Sequence, residues 1–279
     1  MWTILQIELF KIFKRPRTYI SFAAIAAIVL LIQLALFVDG ETYIQFMLQS
    51  IENNFTVDGK IMHGYLICYV ILQTLLIHVP LLIALIGGDM IAGEANMGTL
   101  RLLISKPISR TSLLLGKFTA TAIYTLMLLL WMAFLALFFS VLVFGTGDLM
   151  IFKSDQIVLI KKADILWRYV AAFVFAAIAM LTVAALSFFL SLFAENSIGP
   201  IVTTMSVIIV CTILTTMDLP LFNAIKPFLF SSHMLGWKGF FDDPVNYPAI
   251  IKSAGILVIH IIGFVGAAIL VFNKKDVLS

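Results

Sequence analysis

Six unbroken apolar runs, each long enough to cross a bilayer, leave this chain little choice of fold. They fall at about residues 19–38, 64–88, 118–145, 167–193, 198–217 and 250–272. A membrane helix needs about 20 apolar residues to cross roughly 30 Å of hydrocarbon. Hydrophobic residues make up 62% of the chain and charged ones 12%, and the mean hydropathy is +1.10, a balance that no soluble surface tolerates. Alternating barrel strands are excluded by runs of this length. No internal repeat or low-complexity linker divides the chain. The sequence therefore predicts an all-α membrane protein with six transmembrane helices in a single domain, residues 1–279.

Residues 1–18 precede the first run and carry their own pattern. Trp2, Leu5, Leu9, Ile12 and Phe13 share one helical face, Glu8, Lys11, Lys14 and Arg15 lie on the other, and Pro16 ends the repeat. This predicts an interfacial helix on the inner leaflet, with Trp2 at headgroup depth and the cations toward phosphate. An unstructured basic tail is the alternative. A secretory signal does not fit: residues 18–38 are too long, and Phe37-Val38-Asp39-Gly40 offers no small-x-small cleavage site.

Charge sets the expected orientation. With both termini and the second and fourth connectors inside, the inner side holds Lys11, Lys14, Arg15, Arg17, Arg101, Lys106, Arg110, Lys117, Lys274 and Lys275. The formal net charge of +3 calls for no nucleic-acid partner, because basic groups beside membrane helices are drawn to anionic headgroups. Cys68 and Cys211 lie in separate apolar runs and suggest neither a disulfide framework nor a zinc site.

The polar connector from Asp89 to Lys117 is the densest group of interpretable residues. Gly98 gives a flexible approach, Thr99 is placed to cap a helix starting at Leu100, and Pro107 stops it. Met97, Leu100, Leu103 and Ile104 would share one face, flanked by Arg101, Lys106, Arg110 and Lys117. Two readings fit: a basic loop resting on the membrane surface, or a short amphipathic helix that docks into a soluble partner's groove.

Glu94, Gly98-Thr99-Leu100, Leu102-Leu103, Pro107 with Ser109-Arg110, and Gly116-Lys117 keep the order and spacing E…GTL…LL…P-x-SR…GK. This stretch resembles that of ABC-2-type transporter permeases and favours the docking reading. The resemblance covers the whole chain in layout and residues 94–117 in motif. It implies an N-terminal elbow helix, a cytoplasmic coupling helix between helices 2 and 3, and short outer helices between helices 5 and 6. It further implies that an ABC ATPase subunit, carrying ATP and Mg, sits beneath a pair of permease subunits, identical or related, in a prokaryotic cytoplasmic (inner) membrane. Glu94, Arg101 and Arg110 would then make polar contacts with the ATPase, Leu100 and Leu103 would fill its groove, and Gly98 and Pro107 would fix the geometry. Ser109 and Lys117 belong to the same coupling set, and the elbow helix with Trp2, Leu5, Leu9, Lys11, Lys14 and Arg15 would share the stroke. A single Glu94 followed by Ala95-Asn96 stands where many members have a run of acids, which puts a charge-based latch in doubt.

The chain does not carry a phosphate loop of its own. G-x-x-x-x-G-K-[ST] requires a Gly where Thr111 stands and a hydroxyl where Phe118 stands. An ATP-driven activity would need a separate ATPase. His63, His78, His233 and His260 are scattered, with no acid near them in sequence, and the 12 Met residues form no repeated M-x-x-M. An intramembrane His is either a proton-handling group or the maker of one structural hydrogen bond. No Ser sits in a G-x-S-x-G elbow, so the chain is not expected to be an enzyme, nor to hold a metal or cofactor.

The remaining stretches predict less. Residues 39–62 read as a polar outer loop, and Gly87-Gly88-Asp89 as the end of the second span, because Asp in hydrocarbon costs roughly 2.5–3.5 kcal/mol. Pro80 predicts a kink in that span. Ile157-Val158-Leu159-Ile160 suits a surface strand or a buried helical turn, and Ser197 is placed to cap the fifth helix. Residues 218–248, broken by Pro220, Pro227, Pro244 and Pro248, predict short amphipathic or re-entrant pieces at the outer surface. Three functions are compatible, in descending order: a permease subunit of an ATP-driven exporter; a membrane scaffold passing ATPase strokes to an extracytoplasmic partner; and a proton-coupled transporter using His78 or His260.

Overall fold

The computed structural model describes residues 2–48, 61–100, 108–152, 157–217 and 219–274. Among these, six helices are long and apolar enough to cross a membrane, so the protein is an integral membrane protein. The order is α1 (Trp2–Lys14), α2 (Pro16–Leu48), α3 (Gly64–Gly87), α4 (Asp89–Asn96), α5 (Arg110–Ala133), a π-helical stretch (Phe134–Phe139) and α6 (Ser140–Phe144). A hairpin of β1 (Leu149–Phe152) and β2 (Ile157–Ile160) precedes α7 (Lys162–Leu190) and α8 (Ile198–Thr216). Short pieces α9 (Pro220–Asn223) and α10 (Phe230–Met234), each followed by 3-10 turns, lead to α11 (Tyr247–Lys274).

Most helices outrun their apolar stretches. An apolar run measures the hydrocarbon, whereas a helix stops only where a breaker or cap intervenes. Pro16, with no N–H to lose, opens α2 at its first position. The expected outer loop from Asp39 is in fact helical to Leu48, with a local break in the helical dihedrals at Asp39 (φ −114°, ψ 20°). Ser109 starts α5 by accepting a hydrogen bond from the Ser112 N–H (3.2 Å). Helix α3 runs through Pro80 and ends at Gly87, as expected.

Helix α7 is the hub and packs against α3, α5, α8 and α11. Ala172, Ala176 and Ala179 are fully buried on one side of it, and side chains this small let neighbouring backbones approach closely. Thr182 extends the contact by donating to the Leu257 carbonyl of α11 (3.4 Å). By contrast α8 and α11 leave most of their apolar surface open, including Val202, Ile209, Ile259 and Ile262.

The third span contains a feature the sequence did not announce. The π-helical stretch Phe134–Phe139 interrupts the ladder, and Gln33 of α2 reaches it from inside the bundle. Its Nε2 donates to the Leu135 carbonyl (3.1 Å) and to Ser140 Oγ (2.9 Å). A buried amide thus meets one carbonyl of the π-helical stretch and the hydroxyl of the residue that follows it.

The hairpin pairs Leu149 with Ile160 and Ile151 with Val158, and those four side chains face the core. The strand reading holds there. Between the fifth and sixth spans, short helices do form, but not wholly on the surface. Trp237 and Phe241 are fully buried and meet Tyr69 at 5.7 and 5.2 Å between ring centroids. Large aromatic area is recovered by insertion between α3 and α7 rather than by contact with lipid.

Gly64 marks the tightest approach. A Cβ there would lie 2.5 Å from the Ser140 carbonyl oxygen and from the Val141 backbone. Gly64→Ala should therefore cost about 1–3 kcal/mol of stability by overpacking. Gly263→Ala, with no atom within 4 Å of the new Cβ, should instead raise stability by about 0.4–1 kcal/mol, because Ala favours the helix; thermal unfolding of the isolated protein in detergent reads both.

Candidate functional site: a ring of buried charges

At one end of the bundle, four ionised side chains from three elements close on each other. Glu8 and Lys11 come from α1, Glu94 from α4 and Lys117 from α5. Lys117 Nζ donates to Glu8 Oε2 (2.9 Å) and lies 2.8 Å from Glu94 Oε2, at an angle too oblique for a hydrogen bond. Lys11 Nζ donates to Glu8 Oε1 and to Glu94 Oε1, both at 2.8 Å. Each ammonium therefore bridges both carboxylates through different oxygens. Lys117 is 1% exposed, Glu8 3% and Glu94 4%.

Local sequence explains the convergence. Glu8 and Lys11 are three apart on α1 and point the same way. Gly116 removes the side chain that would block α1: a Cβ there would come within 2.7 Å of Ile4. The pair Gly116-Lys117 is thus a seat followed by an anchor.

A second cluster lies beside the first. Asp89 is 3% exposed at the first turn of α4, where the helix dipole favours an anion. Arg15 pairs with its Oδ2, Arg17 with its Oδ1 (2.7 Å), and the Ser197 hydroxyl donates to Oδ1. The α1–α2 junction, α4 and the turn entering α8 are thereby fastened together. Between the clusters is a cavity of about 20 Å³, room for one water, lined by Glu8, Lys11, Arg15, Asp89 and Glu94.

Several expected positions change role. Helix α1 is turned from the orientation expected: Glu8, Lys11 and Arg15 face protein and Ile12 is buried, while Trp2, as expected, is exposed together with Ile7 and Phe10. Leu5 and Leu9 are half-buried, and Lys14 is exposed, 5.6 Å over the Phe10 ring. Lipid solvates the exposed aromatic and aliphatic side chains, whereas charges taken out of water need partners, and Glu94, Lys117 and Asp89 supply them from inside. Glu94 and Lys117, expected at the ATPase contact, are inside the protein. The Thr99 hydroxyl donates back to the Glu94 carbonyl (3.3 Å), and the turn it was expected to cap lies outside the described residues. Gly98 has φ +69°, a backbone only glycine adopts without strain, and it ends α4. Leu100, expected to fill a partner's groove, is 6% exposed within the chain, while Met97 is 55% exposed.

Arg110 is half-buried and donates to the Phe272 and Asn273 carbonyls (3.3 and 3.2 Å), closing the C-terminus of α11. Ser197 serves Asp89, and Asn196 takes over the cap by accepting from the Gly199 N–H (3.1 Å). Arg101, Leu103 and Pro107 lie outside the described residues. His78 and His260 each bond a carbonyl one turn back in their own helix, Thr74 (2.8 Å) and Ile256 (2.9 Å). Among the described residues no three His, Cys, Asp or Glu side chains gather where they could hold a metal.

The residues that sequence reasoning missed are Glu8, Arg17 and Asp89 as partners. One signal was available: acids and bases in similar numbers at the same depth beside adjacent spans, which in a low-dielectric setting must pair.

Electrostatics mirror the geometry. Burial would raise the Glu8 carboxyl, but the charge of Lys117 and hydrogen bonds from Lys11 and Lys117 outweigh it and hold the group below its ordinary 4.5. Burial would lower the Lys11 ammonium, but its bonds to Glu8 and Glu94 raise it above its ordinary 10.5.

A family model described as a protein of unknown function (DUF2705) matches residues 25–278. The uncharacterized protein YhcI of Bacillus subtilis (strain 168) is 24% identical over 201 residues, 70% of this chain and 63% of that protein. The matched part of the chain therefore spans less than two thirds of that relative's length.

Removing one charge strands the others. Lys117→Met should destabilise the protein by about 3–5 kcal/mol, and adding Glu8→Gln and Glu94→Gln should restore part of it, as read by thermal unfolding in detergent. The pH dependence has two limbs. Glu8, lowered on folding, stabilises above 4.5 and loses that contribution as pH falls through its folded value; Lys11, raised on folding, stabilises below 10.5 and loses it as pH rises through its own. The melting temperature should hold between those limits and fall outside them, with a weaker acid limb in Glu8→Gln.

Proposed function

The chain belongs to DUF2705, a family of proteins of unknown function, and we propose that it is the permease subunit of an ABC-2-type export complex, driven by a separate ATPase. The observation that carries the reading is the way the ionic ring and the Asp89 cluster tie α1, α4, α5 and the start of α8 into one base. Met97 stands exposed at the edge of that base, where the connector leaves α4. A push on the connector would move α4, and α4 would carry α1 and α5 through the ring and α8 through Ser197. Polar strokes would thus become tilts of membrane spans.

In this reading ATP and Mg belong to the partner ATPase, whose contact lies on Met97, Arg101 and the connector, not on Glu94 or Lys117. The open apolar faces of α8 and α11 suit lipid and a second permease subunit. Proton-coupled transport is less favoured, because the ring nitrogens of His78 and His260 nearest the backbone are already engaged with their own helices.

Met97→Asp and Arg101→Glu should each abolish co-purification of an ABC-type ATPase co-expressed from the same genome, and Met97→Asp should do so without lowering the melting temperature of the isolated protein. Undiminished capture of the ATPase by both variants would sink the proposal.

A further inference from the structure

We propose that α3 pairs with α3 of a second copy of this chain, along a seam flanked by Gln73 and His78. The pairing does not rest on the export reading, which would accept a related subunit in place of an identical one. Burial divides α3 into two sides. Ile71, Leu72, Val79 and Ile83 are fully buried toward the bundle, whereas Ile77 is 66% and Leu81 44% exposed, Gln73 and His78 are exposed, and Val70 and Thr74 are half-buried. One side of this span is left uncovered by its own chain.

Lipid does not suit that side. At 1.5 Å per residue His78 stands about 21 Å from Gly64 and about 14 Å from Gly87, well inside the hydrocarbon. Its Nδ1 lies 2.8 Å from the Thr74 carbonyl. A carbonyl only accepts, so Nδ1 holds the proton, and Nε2 is left as an acceptor with no partner among the described residues. The Gln73 amide hydrogen-bonds the Tyr69 side chain. An amide has two N–H donors, so one such bond leaves at least one donor over. Acyl chains satisfy the open apolar faces of α8 and α11, but they offer nothing to a spare donor and a spare acceptor in mid-membrane.

The spacing identifies what does. Val70, Thr74, Ile77 and Leu81 recur at intervals of four, three and four, the a/d seam of a helix pair, and Gln73 and His78 flank it at the g and e positions. The Thr74 hydroxyl, spent on the Val70 carbonyl (3.0 Å), does not compete. Copies inserted with the same topology are related by a twofold axis normal to the membrane, so their α3 helices run parallel. In a parallel pair the g residue of one helix meets the e residue five positions on in the other, and Gln73 and His78 are five apart. Each copy therefore supplies the donor for the other's acceptor, twice about the axis.

The purified full chain, labelled in separate batches with donor and acceptor fluorophores, is reconstituted in bilayers over a range of protein-to-lipid ratios, and energy transfer reads the dimer. Gln73→Leu and His78→Leu should each weaken self-association about tenfold, since either removes both bonds, and the double variant should be no weaker than the singles. Mixing Gln73→Leu copies with His78→Leu copies restores one bond of the two. Heterodimers should then form in preference to either homodimer, a result that misfolding of a variant would not produce. Ile77→Cys, with Cys68 and Cys211 replaced by Ala, should cross-link to a second copy on oxidation. Monomers at every density, self-association that neither variant weakens, or no preference in the mixture overturns the pairing. Reaction of Ile77→Cys with a membrane-impermeant thiol reagent in place of cross-linking assigns the face to water and overturns it equally.

Discussion

Two carboxylates and two ammonium groups, drawn from stretches more than a hundred residues apart, hold one another out of water, and the charged end of the molecule is built round them. Buried charge of this kind contributes little net stability, because desolvation offsets attraction. What it does supply is exclusivity. Glu8, Lys11, Glu94 and Lys117 are all satisfied only when α1, α4 and α5 occupy one arrangement; a shift of α1 by one turn would strand Glu8 and Lys11 and leave Glu94 and Lys117 with only each other. Apolar residues could hold these helices as tightly, but they would not forbid the neighbouring registers. Asp89 extends the same logic to α8 through Ser197, and Arg15 and Arg17 fix where α1 gives way to α2.

Held at that end, the bundle is uneven elsewhere. Helix α7 is enclosed on most sides and paved with alanine, whereas α8 and α11 touch the rest of the chain along narrow strips. Helix α8 is secured at both ends, by Ser197 near its start and by packing against α10 near its finish. A helix anchored at its tips and open along its flank tilts at smaller cost than one packed throughout, since fewer contacts must be exchanged. The difference between α7 and α8 is therefore a division between a fixed post and a span able to follow the base.

The spans were legible because bilayer thickness imposes a length on any apolar run, and nothing in tertiary structure overrides it. Their ends were less so: α2, α5 and α7 continue past the hydrocarbon, and only caps such as Ser109 or breakers such as Pro16 mark the true limits. The site was readable in its residues but not in its direction. Glu94, Gly98, Arg110 and Lys117 stood out as a spaced group, yet spacing along a connector carries no information on which side of it faces protein. For α1 the charged face was visible, and the assumption that charge faces water or headgroups turned Glu8, Lys11 and Arg15 the wrong way. That assumption fails wherever opposite charges arrive at equal depth from neighbouring helices. Gln33 and the π-helical stretch left no trace in the sequence, because a one-residue change in ladder register needs no special composition.

Helix α5 brings the two ends together. Near its start Lys117 is locked into the ring and Arg110 is bound to the end of α11; one membrane thickness later the ladder loosens into the π-helical stretch, which packs on α3 and accepts a hydrogen bond from Gln33 of α2. A π turn and an α turn differ by one residue of hydrogen-bond register, so such a stretch lets the helix beyond it rotate with modest loss of bonding. Rigid coupling at the base and compliance toward the opposite surface lie on the same helix. If the chain works as proposed, a displacement entering through the ring would pass along α5 to the middle of the bilayer and be absorbed near Phe134–Phe139. Beyond it, α6 sits tightly against Gly64, whose N–H donates to the Gly145 carbonyl and which leaves no room for sliding.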